Sequence, residues 1–206
     1  MNLRKMHHIS GLIIALFVGL HLFNHCVSIV GADKHIEVMA TFRSVYRNIF
    51  VEIILLLAVA IQIYSGLRLF KAKRKVAQLV FEKMHVWSGL YLAVFFVIHL
   101  SAVFAGRLLL HIDTNFYFGV AGLNSFPINL FFIPYYSLAI IFFFGHISAI
   151  HSTKMQKNLF GFTPNQQSKF ILTFGIFLTL IILYGLTNNF KGVQIPTEYN
   201  VLIWEY

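Results

Sequence analysis

Five long apolar runs, parted by short polar stretches, set the pattern of this chain. They cover approximately 9–30, 50–70, 86–106, 130–150 and 170–188. A helix of about 20 apolar residues crosses the hydrocarbon core of a bilayer, and each run reaches or approaches that length. In lipid a continuous apolar run satisfies its backbone hydrogen bonds only as a helix. The runs lack the polar–apolar alternation of a transmembrane barrel. The expected fold class is therefore all-α: an integral membrane bundle of five transmembrane helices, with 1–206 forming one domain and no soluble module. The first run is too long for a signal peptide and lacks a small-residue cleavage site, so it reads as a retained span.

The connecting stretches punctuate this pattern. Residues 31–48, GADKHIEVMATFRSVYRN, space their apolar positions three to four apart and predict an amphipathic helix. Residues 71–84 form a short basic link that continues into the third helix. Residues 111–127, rich in Gly, Asn and aromatics, read as a second long loop. In 151–169, Gly161 and Pro164 prevent a continuous helix. The tail from Asn188 ends in Trp204 and Tyr206, which suit a membrane interface.

Composition strengthens the membrane reading: the chain is 58% hydrophobic and only 11% charged, with a mean hydropathy of +0.76. The net charge of +9 follows from where the cations lie. Arg4, Lys5, Arg68, Lys71, Lys73, Arg74, Lys75, Lys83, Lys154, Lys157 and Lys169 fall on one side of the bundle. Lys34, Arg43, Arg47, Arg107 and Lys191 fall on the other. Cytoplasmic loops carry the excess of Lys and Arg, which predicts a cytoplasmic N-terminus and an outside C-terminus. Charges confined to short loops between spans argue against nucleic acid as a partner, whereas anionic lipid or an anionic protein suits them. Cys26 is alone, so a disulfide, a cysteine-rich zinc site and an iron–sulfur ligand set are excluded within the chain.

The chemistry lies in a repeat. Residues 5–22, KMHHISGLIIALFVGLHL, return as KMHVWSGLYLAVFFVIHL at 83–100, an offset of 78 that aligns His7 with His85, Ser10 with Ser88, Gly11 with Gly89 and His21 with His99. Ionisable side chains inside a membrane are costly and usually functional. Spans one and three run in the same direction, so His21 and His99 share a depth, about 20 Å from the helix starts. Matched imidazoles on two such helices point to a metal centre between them, with haem iron first among the metals they suit. The competing explanation is that each bonds a carbonyl or hydroxyl across a helix interface.

The other polar residues sort by depth. His146 lies about one turn inside the end of span four, with His151 at its edge, and Gln62 lies at comparable depth in span two. A buried contact between spans two and four would account for Gln62 and His146 without any ligand. His7 and His85 lie near the inner surface, each 14 residues from the deeper pair. Fourteen residues is close to four turns, about 21 Å, so each helix carries both its histidines on one face. A second iron between His7 and His85 is one possibility. His25, His35 and His111 fall in or near outer segments and read as solvated or tied to loop backbone. Glu52, at the outer end of span two, is expected to pair with Arg47 or Arg107.

In order, spacing and helix count, nearly the whole chain resembles the cytochrome b membrane anchors of succinate dehydrogenases and fumarate reductases, in their single-chain, five-helix, two-haem form. The resemblance rests on HLFNH at the end of span one, SGLRLF in span two, WSGLYLAVFFVIHL in span three, and HISAIH leading to FGFTP after span four. It implies that His21 and His99 ligate a haem b nearer the outer face, and that His146 is one ligand of a second haem. The partner position for that second haem holds Gln62 here, a poor iron ligand, which puts the second haem in doubt. The resemblance further implies a subunit that is not catalytic alone. It would exchange electrons with quinone and with flavoprotein and iron–sulfur subunits on the cytoplasmic face of a bacterial inner membrane, with His8, Ser10 and Ser88 as candidate quinone contacts. The competing function is a non-redox membrane scaffold of the same fold with one haem or none.

Overall fold

The computed structural model describes residues 2–203. Trp204 and Tyr206, expected at the interface, lie outside the described residues. Among these, seven α-helices and one 3₁₀ turn carry the fold: α1 (Leu3–Val27), α2 (Ala32–Tyr46), α3 (Ile49–Lys73), α4 (Val80–Leu108), α5 (Phe116–Asn124), α6 (Asn129–Lys154), α7 (Pro164–Leu186) and η1 (Thr197–Leu202). Five of them, α1, α3, α4, α6 and α7, are long and apolar enough to span a membrane. The protein is an all-helical membrane bundle.

Local chemistry sets the helix ends. The Asn2 side chain accepts from the Arg4 amide and Asn48 from the Phe50 amide, each satisfying a donor that an opening turn leaves free. Glu82 accepts from the amides of Gln78 and Leu79 and so caps the start of α4, into which the 71–84 link continues from Val80. Thr163 and Gln166 form a reciprocal capping box, with Pro164 at the first position of α7.

Packing joins the spans in a closed ring: α1 on α3, α3 on α4, α4 on α6, α6 on α7, and α7 back on α1. One end of the ring, where α1 begins and α6 ends, carries the eleven clustered cations and is here termed the basic end. The opposite end is capped. The amphipathic helix expected at 31–48 is α2, which lies against α1, α3 and α5. The stretch 111–127 is more ordered than its Gly-rich sequence suggests. Within it α5 is buried over Phe116, Val120, Ala121, Gly122 and Leu123, and joins Leu22, Ile140, Ile182 and Leu186 in the main apolar core. The tail closes over it: Tyr199 is fully buried, and its hydroxyl meets the Asp113 carbonyl at 3.1 Å and Asn115 Oδ1 at 2.9 Å. Among the described residues all four ion pairs lie at this capped end, joining Lys34 to Glu37, Arg43 and Arg47 to Asp113, and Arg107 to Glu52. Glu52 thus takes Arg107, at 2.6 Å, while Arg47 turns to Asp113 and Thr114.

Candidate functional site: histidines inside the ring

The 78-residue repeat is a repeat in space. Phe17 stacks on His21 with ring planes 15° apart, and Phe95 stacks on His99 at 12°. One turn of helix separates each pair, so each phenylalanine braces the imidazole that follows it. Toward the basic end, Ser10 and Gly11 receive Gln62 from α3, while Ser88 and Gly89 receive His146 from α6. Ser10 Oγ lies 2.6 Å from Gln62 Oε1 and Ser88 Oγ lies 3.1 Å from His146 Nδ1. A Cβ on Gly11 would sit 3.4 Å from Gln62 and one on Gly89 3.2 Å from His146, so each glycine admits the incoming side chain. Gln62 and His146 thus occupy equivalent places against the two copies of the repeat.

In the capped half, the His21 and His99 rings lie with centroids 6.2 Å and planes 67° apart. Two imidazoles bound to one metal atom from opposite sides, each through a bond of about 2 Å, place their ring centres about 6 Å apart. By spacing this pair suits a single metal between the two rings. His25, one turn beyond His21, brings its Nε2 within 3.1 Å of His21 Nε2. On its other side, His25 Nδ1 lies 3.4 Å from His35 Nε2, which also accepts from Asn24 Nδ2 at 3.2 Å. Four imidazoles from α1, α2 and α4 thus form one group, in which His35 is buried and His21, His25 and His99 are half-buried. His35 is 2% exposed, and its Nδ1 has no partner, nor does Asn24 Oδ1. Burial, with Arg43 as a second cause, pushes the His35 pKa down to about 4. His99 also meets the edge of Tyr136, at 6.5 Å. Among the described residues no three His, Cys, Asp or Glu side chains converge as a metal-ion site, so a metal here would rest on two ligands from the protein.

In the basic half the polar groups satisfy one another. Ser65 donates to the Ile61 carbonyl, and its oxygen lies 2.9 Å from His7 Nδ1. His7 Nε2 lies 3.2 Å from Gln62 Nε2, and Ser10 donates to Gln62 Oε1. With Nδ1 protonated, His7 donates to Ser65 and accepts from Gln62, so every group in this α1–α3 chain has a partner. The expected contact of Gln62 with the helix of His146 is replaced by this contact with α1. His85 touches His146 directly, with ring centroids 4.5 Å apart, closer than two ligands on opposite sides of one metal would lie. Of the candidate quinone contacts, Ser10 and Ser88 are buried within helix–helix hydrogen bonds, and His8 is exposed on the surface of α1. His151 bonds Gln167 at 2.8 Å, and His111 is exposed.

Depth along a helix, which the sequence supplies, groups His21 with His99 but leaves His25 and His35 among the outer solvated residues. The signal for His25 was its four-residue spacing from His21. For His35 it was the four-residue step to Met39, the other buried residue of α2. No family model matches the chain, and no curated protein or solved structure matches it.

Proposed function

We propose that this protein is a haem b-binding membrane subunit that passes electrons between the quinone pool and a peripheral oxidoreductase, of the kind that succinate dehydrogenases and fumarate reductases use. The observation that carries the reading is the 6.2 Å separation of the His21 and His99 rings across the ring of helices. Haem b held by two imidazoles supplies a one-electron couple within the membrane. His21 and His99 would be its axial ligands. Phe17 and Phe95 hold the two ring planes by stacking, and the capping segments α2, α5 and η1 cover that half of the bundle. Flavoprotein and iron–sulfur subunits would approach the basic end, and its excess of Lys and Arg supports a cytoplasmic side for that end.

One haem per chain is the number this reading supports. At the place where a second would sit, Gln62 is engaged by Ser10 and His7, and the His85 and His146 rings touch. The visible spectrum of the purified protein, reduced with dithionite, is expected to show a low-spin b-type α-band. A pyridine haemochrome assay is expected to count one haem per chain. A colourless protein, purified from cells supplied with haem, would reject the proposal.

A second reading, a scaffold of the same fold without redox chemistry, draws on one contact. His21 Nε2, the nitrogen an iron would need, lies within hydrogen-bond distance of His25. The spectrum rejects a scaffold without haem if the α-band is present, and co-purification of a flavoprotein and an iron–sulfur protein separates the electron-transfer subunit from a scaffold that keeps one haem.

A further inference from the structure

The link between α6 and α7 ends in a tight turn at the basic end. Leu159 and Phe162 exchange both backbone hydrogen bonds, at 3.1 and 2.9 Å. The two residues between them, Phe160 and Gly161, have φ of +50° and +80°. Glycine adopts that region freely, whereas a phenylalanine there is an outlier held in place by its surroundings. The surroundings do hold it: Gln167 Nε2 donates to the Phe162 carbonyl at 2.7 Å and to the Lys157 carbonyl at 3.1 Å, and its Oε1 meets His151. A braced turn therefore presents Phe160 with 97% of its surface exposed. With Leu159 and Phe162 also exposed beside it, the turn offers an apolar patch of the kind that marks a contact surface.

Two features identify what it contacts. Phe162 packs edge-on against Phe170 of α7, centroids 4.9 Å apart. Phe170, Phe174 and Phe177 are exposed at helical spacing along α7, on the outer surface of a helix that spans the membrane. The turn thus continues the lipid-facing stripe of α7 to the basic end. Lys157 and Lys169 flank it, both exposed, and neither is among the ion pairs of the described residues. Apolar side chains with lysines beside them are the composition that enters the boundary between acyl chains and anionic headgroups.

We propose that the Leu159–Phe162 turn is an interfacial anchor: Phe160 enters the leaflet at the basic end, and Lys157 and Lys169 engage the phosphates of anionic phospholipids. The proposal does not depend on the haem reading, because it uses only the membrane bundle and its surface.

Tryptophan fluorescence of the full chain in vesicles tests it. Phe160→Trp is made in a background with Trp87→Phe and Trp204→Phe, and reconstituted into phosphatidylcholine vesicles with or without phosphatidylglycerol. The expected emission is blue-shifted and quenched by phosphatidylcholine brominated near the headgroup, since an interfacial side chain lies about 5–10 Å into the boundary. The blue shift is expected to be larger with phosphatidylglycerol and to lose that difference in Lys157→Gln/Lys169→Gln. Emission at the wavelength of water-exposed tryptophan, unquenched by brominated lipid, would overturn the anchor and leave a soluble protein partner as the occupant. Equal shifts in both vesicle types would overturn the assignment of the lysines to anionic headgroups. If Phe160→Trp disturbs the bundle, a spin label on Phe160→Cys, with Cys26→Ser, reads the same depth from its accessibility to oxygen against a water-soluble nickel chelate.

Discussion

The two halves of the bundle hold the same kind of residue and use it differently. In the basic half, His7 and His146 are absorbed into hydrogen bonds with Ser65, Gln62 and Ser88, residues whose ordinary role in a membrane is to fasten helices. In the capped half, His21, His25, His35 and His99 meet mainly other imidazoles. Among the described residues, the one side chain other than histidine that hydrogen-bonds those rings is Asn24. An imidazole with a hydroxyl partner is explained by packing. A half-buried pair with ring centroids 6.2 Å apart, each ring stacked on an equivalent phenylalanine, is not explained that way. In the basic half each copy of the repeat meets a side chain from outside it, Gln62 at Ser10 and His146 at Ser88, whereas in the capped half the two copies meet each other through His21 and His99.

The largest effect should come from breaking the capped half. His21→Ala and His99→Ala are each expected to abolish the low-spin α-band, because either leaves one axial ligand. The measurement is the reduced spectrum at equal protein concentration, with circular dichroism to show the bundle intact. If both variants kept the full spectrum, the assignment of the pair would fail, and with it the contrast between the halves.

Next in size is a packing change that spares the histidines. Gly185 of α7 faces the Ser28–Ile29 backbone beyond the end of α1, where an added Cβ would lie 2.8 Å from the Ile29 amide nitrogen as well as against Ser28 Oγ. Backbone does not yield as a side-chain tip does. Gly185→Ala is expected to destabilise the protein by about 1–3 kcal/mol through overpacking, seen as earlier thermal unfolding in detergent. Gly19, with open space around its Cβ position, is the control: Gly19→Ala should not destabilise.

Breaking the basic half should cost less and leave the spectrum alone. Gln62→Leu removes the partner of Ser10 and of His7 Nε2, and His146→Ala removes that of Ser88. Interhelical hydrogen bonds in membranes contribute about 1 kcal/mol, so each variant should unfold slightly earlier with an unchanged α-band. Loss of the α-band in His146→Ala would reverse the roles of the two halves.

These outcomes also bear on what could be read from the residues alone. The five spans are legible because a run of apolar residues leaves the backbone one solution in lipid. Their ends are less so, since α3 continues through Lys71 to Lys73 and α1 begins at Leu3, in polar sequence that capping by Asn2 permits. The helix α5 is hidden by Gly119 and Gly122, and it is buried because other segments, the tail with Tyr199 among them, close over it. Within the site, span depth brings His21 and His99 together. Depth says nothing of azimuth, so Gln62 pairs with α1 and not with the helix of His146. It is equally silent on a loop helix folding back, which is how His35 reaches His25.

The smallest effect is a pH dependence confined to the cap. His35 on α2 is buried with Nδ1 unpartnered, and burial holds its pKa at about 4 against an ordinary value of 6.5. Above pH 6.5 the imidazole is neutral whether α2 is docked or released, and docking keeps its full stability. As pH falls from 6.5 toward 4, the released state takes up a proton that the docked state refuses, so docking weakens through that window and levels off below it. Amide hydrogen exchange in α2, corrected for its intrinsic pH dependence, should therefore quicken between pH 7 and pH 5. In His35→Gln, which cannot titrate, the same comparison should be flat. A wild-type profile as flat as the variant's would mean that the buried imidazole does not govern the cap. A profile that survives in His35→Gln would transfer the effect to His25, the neighbouring imidazole of the cluster.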